Sequence, residues 1–226
     1  MGTLTARTTK TRADKFASRR RMLAEAALAT IAERGFANTG LREIAHHSAL
    51  SHGSLHYYFQ DKDDLIAEAV WLNKSECARR YDEIVVTSGD ATELVERVAD
   101  AMAATLRDDA SLHRLWYDLR NQSLFEDGFR DTIVRIDALL EQMVWAIVQR
   151  HSELTGRPPI LEPDVAYALV DGLFQNALIR FLRGDPGAMG RSVGRHLLRD
   201  LAGPGAAPAR AAGHHRPPRH PRPRKS

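Results

Sequence analysis

Leu41-Arg42-Glu43-Ile44-Ala45-His46-His47-Ser48-Ala49-Leu50-Ser51-His52-Gly53-Ser54-Leu55-His56-Tyr57-Tyr58-Phe59 is the stretch that decides the fold. Its apolar residues are spaced for two short helices joined by a tight turn, with Ile44, Ala45, Leu50, Leu55 and Phe59 closing a small core. Ala45 is small enough for the second helix to cross close by. Between those apolar positions, Ser51, His52, Gly53, Ser54 and His56 are short or hydrogen-bonding, and Gly53 lets backbone approach a partner closely. This is the pattern of a helix-turn-helix, whose second helix presents its early residues to base edges in the major groove while flanking residues hold phosphates.

Outward from this window the 3.6-residue spacing persists, and no strict alternation argues for a sheet, so an all-α fold of about nine helices is expected. A first helix is predicted from about Phe16 to Arg34, with Met22, Leu23, Ala26, Leu28, Ala29 and Ile31 as apolar positions and Gly35 as its stop. Thr39 can cap the second helix, whose Leu41, Ile44 and Ala45 should turn inward, and Asp61 can cap a long fourth helix. Longer helical pieces follow over about 61–84, 91–107, 111–121, 125–154, 163–183 and 187–201, separated by Ser88-Gly89-Asp90, Asp108-Asp109, the proline-rich 156–163 loop and Gly184-Asp185-Pro186-Gly187. The expected organisation is a basic arm (1–15), a helix-turn-helix domain (16–65), a helical bundle (66–202) and a disordered Arg/Pro/His tail (203–226).

Charge is distributed unevenly over the 226 residues, whose formal net charge is +3. Residues 1–22 hold seven Lys/Arg against Asp14 alone, residues 203–226 add six and no acid, and the stretch between carries a net −9. An acidic body with basic ends points to a polyanionic partner met at particular places. The one cysteine, Cys77, cannot form an intramolecular disulfide and sits in a charged helical stretch without an evident base, as a structural thiol would. No run approaches the roughly 18 apolar residues of a membrane span, and the first residues lack the apolar core of a secretory signal, so a cytoplasmic protein is expected.

Residues 27–65 resemble the DNA-binding domain of the TetR family of transcriptional regulators. Ala32-Glu33-Arg34-Gly35-Phe36 is similar to the end of that family's first helix, Leu41-Arg42-Glu43-Ile44-Ala45 to its second, and Leu50 to Phe59 with Lys62 and Leu65 to its recognition helix and the start of the fourth. The resemblance implies that Ser51, His52, Ser54, Tyr57 and Lys62 face double-stranded DNA, that Thr39 and Arg42 touch its backbone, and that Tyr58 and Phe59 pack. Gly53 and His56 join these as DNA-facing positions. Ala49 and His52 depart from the Gly and the basic residue usual there, and the arm Arg7 to Arg21 is expected to supply the missing phosphate attraction.

By the same resemblance, the bundle binds a small-molecule effector and pairs with a second copy through its last two helices, and the protein is a repressor released by that effector. Leu169, Val170, Leu173, Phe174, Ala177, Phe181, Val193, Leu197 and Leu198, with Gly172 permitting close approach, would form the homodimer surface around a palindromic operator. Candidates for the effector pocket are Met102, Trp116, Gln122, Phe125, Met143, Trp145, Phe174 and Asn176, with Tyr117 and Phe129 beside them, which suit an apolar or amphipathic molecule. A tilt of the long fourth helix would carry the signal.

The histidines, the absent catalytic motifs and the basic ends bear on three other readings. His52 and His56 stand four apart as metal ligands do, with His46 and His47 nearby, yet no cysteine or carboxylate is spaced to complete a set, so no metal is expected. Neither a Gly-rich phosphate loop nor G-x-S-x-G nor H-E-x-x-H occurs, and an enzyme or a cofactor is not expected. An architectural protein that coats DNA without sequence preference is the alternative that the basic ends favour.

Overall fold

The computed structural model describes residues 11–35, 40–47, 50–185 and 187, and every described element is helical. The elements are α1 (Arg12–Arg34), α2 (Leu41–His47), α3 (His52–Tyr58), α4 (Lys62–Thr87), α5 (Ala91–Asp108), α6 (Ala110–Gln122), a 3-10 turn (Asp127–Phe129), α7 (Arg130–Thr155) and α8 (Pro163–Leu182). The predicted ninth helix over 187–201, the tail from 203, the first ten residues, Thr39 and the Ser48-Ala49 turn lie outside the described residues, Gly187 excepted.

Local chemistry accounts for the boundaries. α1 starts at Arg12, not Phe16, because Thr11 and Asp14 form a capping box: Asp14 N–H donates to Thr11 Oγ1 at 3.1 Å, and Thr11 N–H to the Asp14 carboxylate at 2.9 Å. Residues 12–15, expected in the arm, are thus helical. α1 stops where Gly35 adopts φ +79°, a conformation that a side chain would strain. Its buried stripe is Leu23, Ala24, Ala27, Thr30 and Ile31; Met22, Ala26 and Ala29 turn to solvent, because the stripe is one residue out of phase with the predicted one. Asp61 and Asp90 cap α4 and α5 by accepting from backbone N–H groups in the first turns. α7 begins at Arg130, after the chain reverses through 123–126 and the 3-10 turn.

One core runs the length of the molecule, from Ile31, Ile44, Leu55 and Phe59 through Leu65 and Ile66 to Leu94, Trp116, Ile136 and Phe174. α4 passes through all of it, packed on α1 near its start and on α7 along its body, where the Arg135 guanidinium lies 3.4 Å from the centre of the Trp71 ring. The expected boundary at residue 65 falls inside this helix, so α4 belongs to both units.

Arg20 fastens the first unit. Its guanidinium donates to the Tyr58 carbonyl (2.7 Å), to both Asp64 oxygens and to Glu68 (3.4 Å), and it covers the Phe59 ring at 4.5 Å. α1, the end of α3 and the first turns of α4 therefore meet on one side chain, and Arg20 is a clamp in the fold, where the sequence placed it in the DNA-facing arm. Burial would raise the Asp64 carboxyl pKa, but the Arg20 hydrogen bond and the Gln60 N–H outweigh it and hold that carboxyl below its usual value. Arg20→Met is expected to lower unfolding stability by ~2–3 kcal/mol at neutral pH, measured by denaturant titration, since charged acceptors lose their donor. A depressed folded-state pKa stabilises above the unfolded value, so the difference between wild type and variant should shrink as pH falls below 3.8.

Candidate DNA-reading surface and enclosed cavity

Ser51 caps α3, its Oγ accepting from Ser54 N–H at 3.2 Å, and Leu55 and Phe59 anchor the helix inward. That anchoring turns Ser51, His52, Gly53, His56 and Tyr57 to solvent, with Ser54 half-buried at their edge. Tyr57 is 66% exposed and meets Phe16 edge-on at 6.0 Å, so the outward face of α3 continues onto α1. His52 and His56 share a hydrogen bond between their Nε2 atoms at 3.2 Å, one donating to the other, which fixes both rings. Among the described residues no group of three or more His, Cys, Asp or Glu is placed to hold a metal. Arg42 is exposed on α2 and Lys62 half-buried in the first turn of α4. Thr39 lies outside the described residues. A Cβ at Gly53 would meet only Ser51 Oγ, at 3.7 Å, so the fold itself does not require glycine there.

Between its helices the bundle holds a partly open cavity of about 80 Å³, predominantly apolar in its lining with a few polar groups, as small-molecule sites are. Five helices each give it one stripe at three- and four-residue spacing: Lys74, Cys77 and Tyr81 from α4; Val98, Met102 and Thr105 from α5; His113, Trp116 and Tyr117 from α6; Leu140, Met143, Val144 and Ile147 from α7; Tyr167, Val170, Asp171 and Phe174 from α8. Of the predicted pocket residues, Met102, Trp116, Met143, Phe174 and Tyr117 are in this wall. The others are not. Phe125 is 85% exposed on the turn after α6, and Gln122 ends that helix, its carbonyl taking the turn's N–H groups. Trp145 follows the α7 stripe by one residue and packs elsewhere on the core; Asn176 lies on the outer side of α8; Phe129 is buried outside the cavity.

The polar wall residues were not legible as pocket residues. Lys74 is buried, its Nζ 3.1 Å from His113 Nδ1 and 5.5 Å from the centre of the Trp116 ring. Desolvation lowers the Lys74 pKa to about 8, with Cys77, Asp171 and Asp109 pulling the other way; burial, then the charges of Lys74 and Arg80, drives His113 down to about 2, so its ring is neutral. Asp171 accepts from Tyr117 Oη at 2.9 Å and pairs with Arg120; Asp137 accepts from Tyr167 Oη at 2.5 Å and lies 3.5 Å from Arg120. Burial pushes the Cys77 thiol pKa up, as for a structural thiol.

Cavity and helix-turn-helix share two supports. α4 carries Lys74, Cys77 and Tyr81 below the Arg20 clamp. α6 carries His113, Trp116 and Tyr117, while its Arg114 reaches back to the end of α1, donating to the carbonyls of Ala32 (2.9 Å) and Glu33 (3.1 Å). On α8, Val165, Leu169, Leu173, Ile179 and Leu182 are exposed, and nothing lies within 4 Å of a Cβ built on Gly172. Val170, Phe174, Ala177 and Phe181, expected on a dimer surface, instead pack into the monomer's core. Among the described residues α8 alone is long and apolar enough on average to cross a membrane, although Asp171 and other charged residues interrupt it and no uninterrupted apolar run of that length occurs there.

A family model described as "Bacterial regulatory proteins, tetR family" matches residues 23–69. The HTH-type transcriptional regulator PksA of Bacillus subtilis (strain 168) is 26% identical over 187 residues, covering 79% of this chain and 88% of that protein. A transcriptional regulator from Saccharomonospora viridis, solved in complex with choline, is 25% identical with a TM-score of 0.62, over 81% of this chain and 94% of that one. FadR from Bacillus subtilis, in complex with stearoyl-CoA, shares the fold at 18% identity and a TM-score of 0.65, over 80% of this chain and 96% of that one.

The buried amine makes a prediction independent of any ligand. An unfolded lysine titrates near 10.5 and the folded one near 8, so below pH 8 the fold carries the full cost of a buried charge. Lys74→Met is expected to raise stability at pH 7 by on the order of 2–3 kcal/mol. As pH climbs from 8 to 10.5 the wild type loses that handicap, and thermal or denaturant melts should show the gain fading.

Proposed function

We propose that the chain, whose residues 23–69 match the tetR-family model and which is similar along most of its length to an HTH-type transcriptional regulator, is a TetR-type regulator that reads a palindromic operator as a homodimer, represses from it, and lets go when a small molecule enters the cavity. Residues 16–65 would serve DNA reading and residues 66–202 effector binding and dimerisation, in the cytoplasm where the DNA is. The observation that carries this reading is the double support: α4 and α6 each line the cavity and each grip the helix-turn-helix, so a ligand that spreads the wall moves the recognition helix. Ser51, His52, Gly53, Ser54, His56 and Tyr57 face the major groove, with Arg42 and Lys62 on phosphates. The similar structures solved in complex with stearoyl-CoA and with choline support a small-molecule ligand for a protein of this fold.

The exposed α8 face of Leu169, Gly172, Leu173 and Ile179 supports pairing with a second copy. Its partner helix in the expected four-helix contact, 187–201, lies outside the described residues. Two copies related by a twofold axis would set their recognition helices roughly 34–36 Å apart, one turn of duplex.

Selection of bound fragments from a random duplex pool is the direct test, with affinity for the winner compared against scrambled DNA at physiological salt. One palindromic motif is expected; tight binding without a motif would favour the architectural alternative. Gly53→Ala should leave the melting temperature the same or slightly higher, since alanine favours the helix, and weaken operator binding about tenfold or more, as a methyl group enters a close backbone approach. Leu173→Glu should yield monomers in analytical ultracentrifugation and lose operator affinity. Arg114→Ala should keep operator affinity while losing most of the ligand response, and an unchanged response would remove α6 from the coupling path.

A further inference from the structure

The hydrogen-bonding groups of the cavity wall are unequally satisfied. The acidic side is complete: Asp171 holds Arg120 and the Tyr117 hydroxyl, and Asp137 holds Arg120 and the Tyr167 hydroxyl. Around Lys74 and Trp116, donors are in surplus. Among the described residues no carboxylate lies within ion-pair distance of Lys74, whose polar contact is the neutral ring of His113 at 3.1 Å. Trp116, 1% exposed, lines the same cavity, and its indole Nε1 is buried without an acceptor. An ammonium with unspent N–H groups and an orphaned indole N–H on one wall define the missing partner as an acceptor that bears negative charge.

The remaining wall is hydrocarbon, chiefly Met102, Leu140, Val144, Ile147 and Phe174. A cation is disfavoured, because the aromatic faces it would use are already near one: the Arg120 guanidinium stands 6.0 Å from the Trp116 ring centre and 5.9 Å from that of Tyr167.

We infer that the cavity takes an anionic amphiphile, a carboxylate on a hydrocarbon body, with the carboxylate between Lys74 Nζ and Trp116 Nε1 and the body along the α5 and α7 stripes. This rests on the reading of the cavity as the effector site and names the class of effector. Binding converts an unpaired buried ammonium into an ion pair and gives the indole its acceptor. Lys74 must be charged for this, and the groups that face it are Cys77 and Arg80 on its own helix, Asp109 at the α5–α6 junction, His113 on α6 and Asp171 on α8.

The test uses the full chain and three probes of equal chain length below their micelle concentrations: dodecanoate, dodecanol and dodecyltrimethylammonium. Binding is followed by tryptophan fluorescence and by calorimetry. Dodecanoate is expected to bind at least tenfold more tightly than dodecanol, with the ammonium weakest. Lys74→Met, and Lys74→Gln as a second variant, should abolish that preference while leaving dodecanol affinity within about twofold. Dodecanoate affinity should fall by up to tenfold per pH unit above about 8, where the empty-cavity amine gives up its proton, and dodecanol affinity should not.

Equal or tighter binding of dodecanol or the ammonium would overturn the inference and leave the cavity an effector site for another class. Failure of all three to bind would overturn it as well, while fragment selection would still report on DNA reading. Lys74-dependent dodecanoate binding that leaves operator affinity unchanged would uphold the inference and sink ligand-controlled release.

Discussion

Everything in this molecule depends on the continuity of α4. A helix of 26 residues spans about 39 Å at 1.5 Å per residue, and it cannot bend sharply without a proline or glycine, neither of which it contains. Its first turn is held by Arg20 against α1 and the end of α3, its middle is packed along α7, and its inward stripe walls the cavity. The two units are therefore not beads on a linker. Lys74 and Asp64 lie on one uninterrupted hydrogen-bonded helix, without proline or glycine between them.

Arg114 makes that argument stronger. With α4 alone, the helix-turn-helix could pivot about a single rod. The hydrogen bonds from Arg114 to the last carbonyls of α1 add a second attachment, and they satisfy groups that a helix end leaves without intrahelical partners. α6 is short and carries three cavity residues next to that arginine in sequence. Cavity and helix-turn-helix are thus joined by one long helix and one short strut.

The sequence disclosed the parts of this arrangement that rest on local chemistry. Gly35 at positive φ, the caps Ser51 and Asp61, and the apolar positions Ile44, Ala45, Leu55 and Phe59 all act within a turn or two of themselves, and each sits where its neighbours require. The cavity was legible only in pieces. Its wall takes one stripe from each of five helices, and a single chain does not say which of two apolar stripes turns to the bundle axis. Trp145 and Asn176 fell one side of their stripes, and Phe125 landed on a reversal that the helical spacing hid. Lys74 and Asp171 escaped notice because charged residues on a helix normally face water, and Arg20 because nothing local distinguishes a clamp from a basic arm.

Arg120 leaves one more consequence. It places the protein's own guanidinium among the rings that an external cation would use, and it pairs with both acidic groups there. On the proposed reading, the sign of charge that the bundle would accept depends on a residue remote from the face of α3, and the bases that this face would contact depend on residues remote from the bundle. On that reading, what is sensed and what is read would be free to drift apart over evolutionary time, since the cavity wall and the outward face of α3 share no side chain and, among the described residues, α4 and the strut of α6 join them.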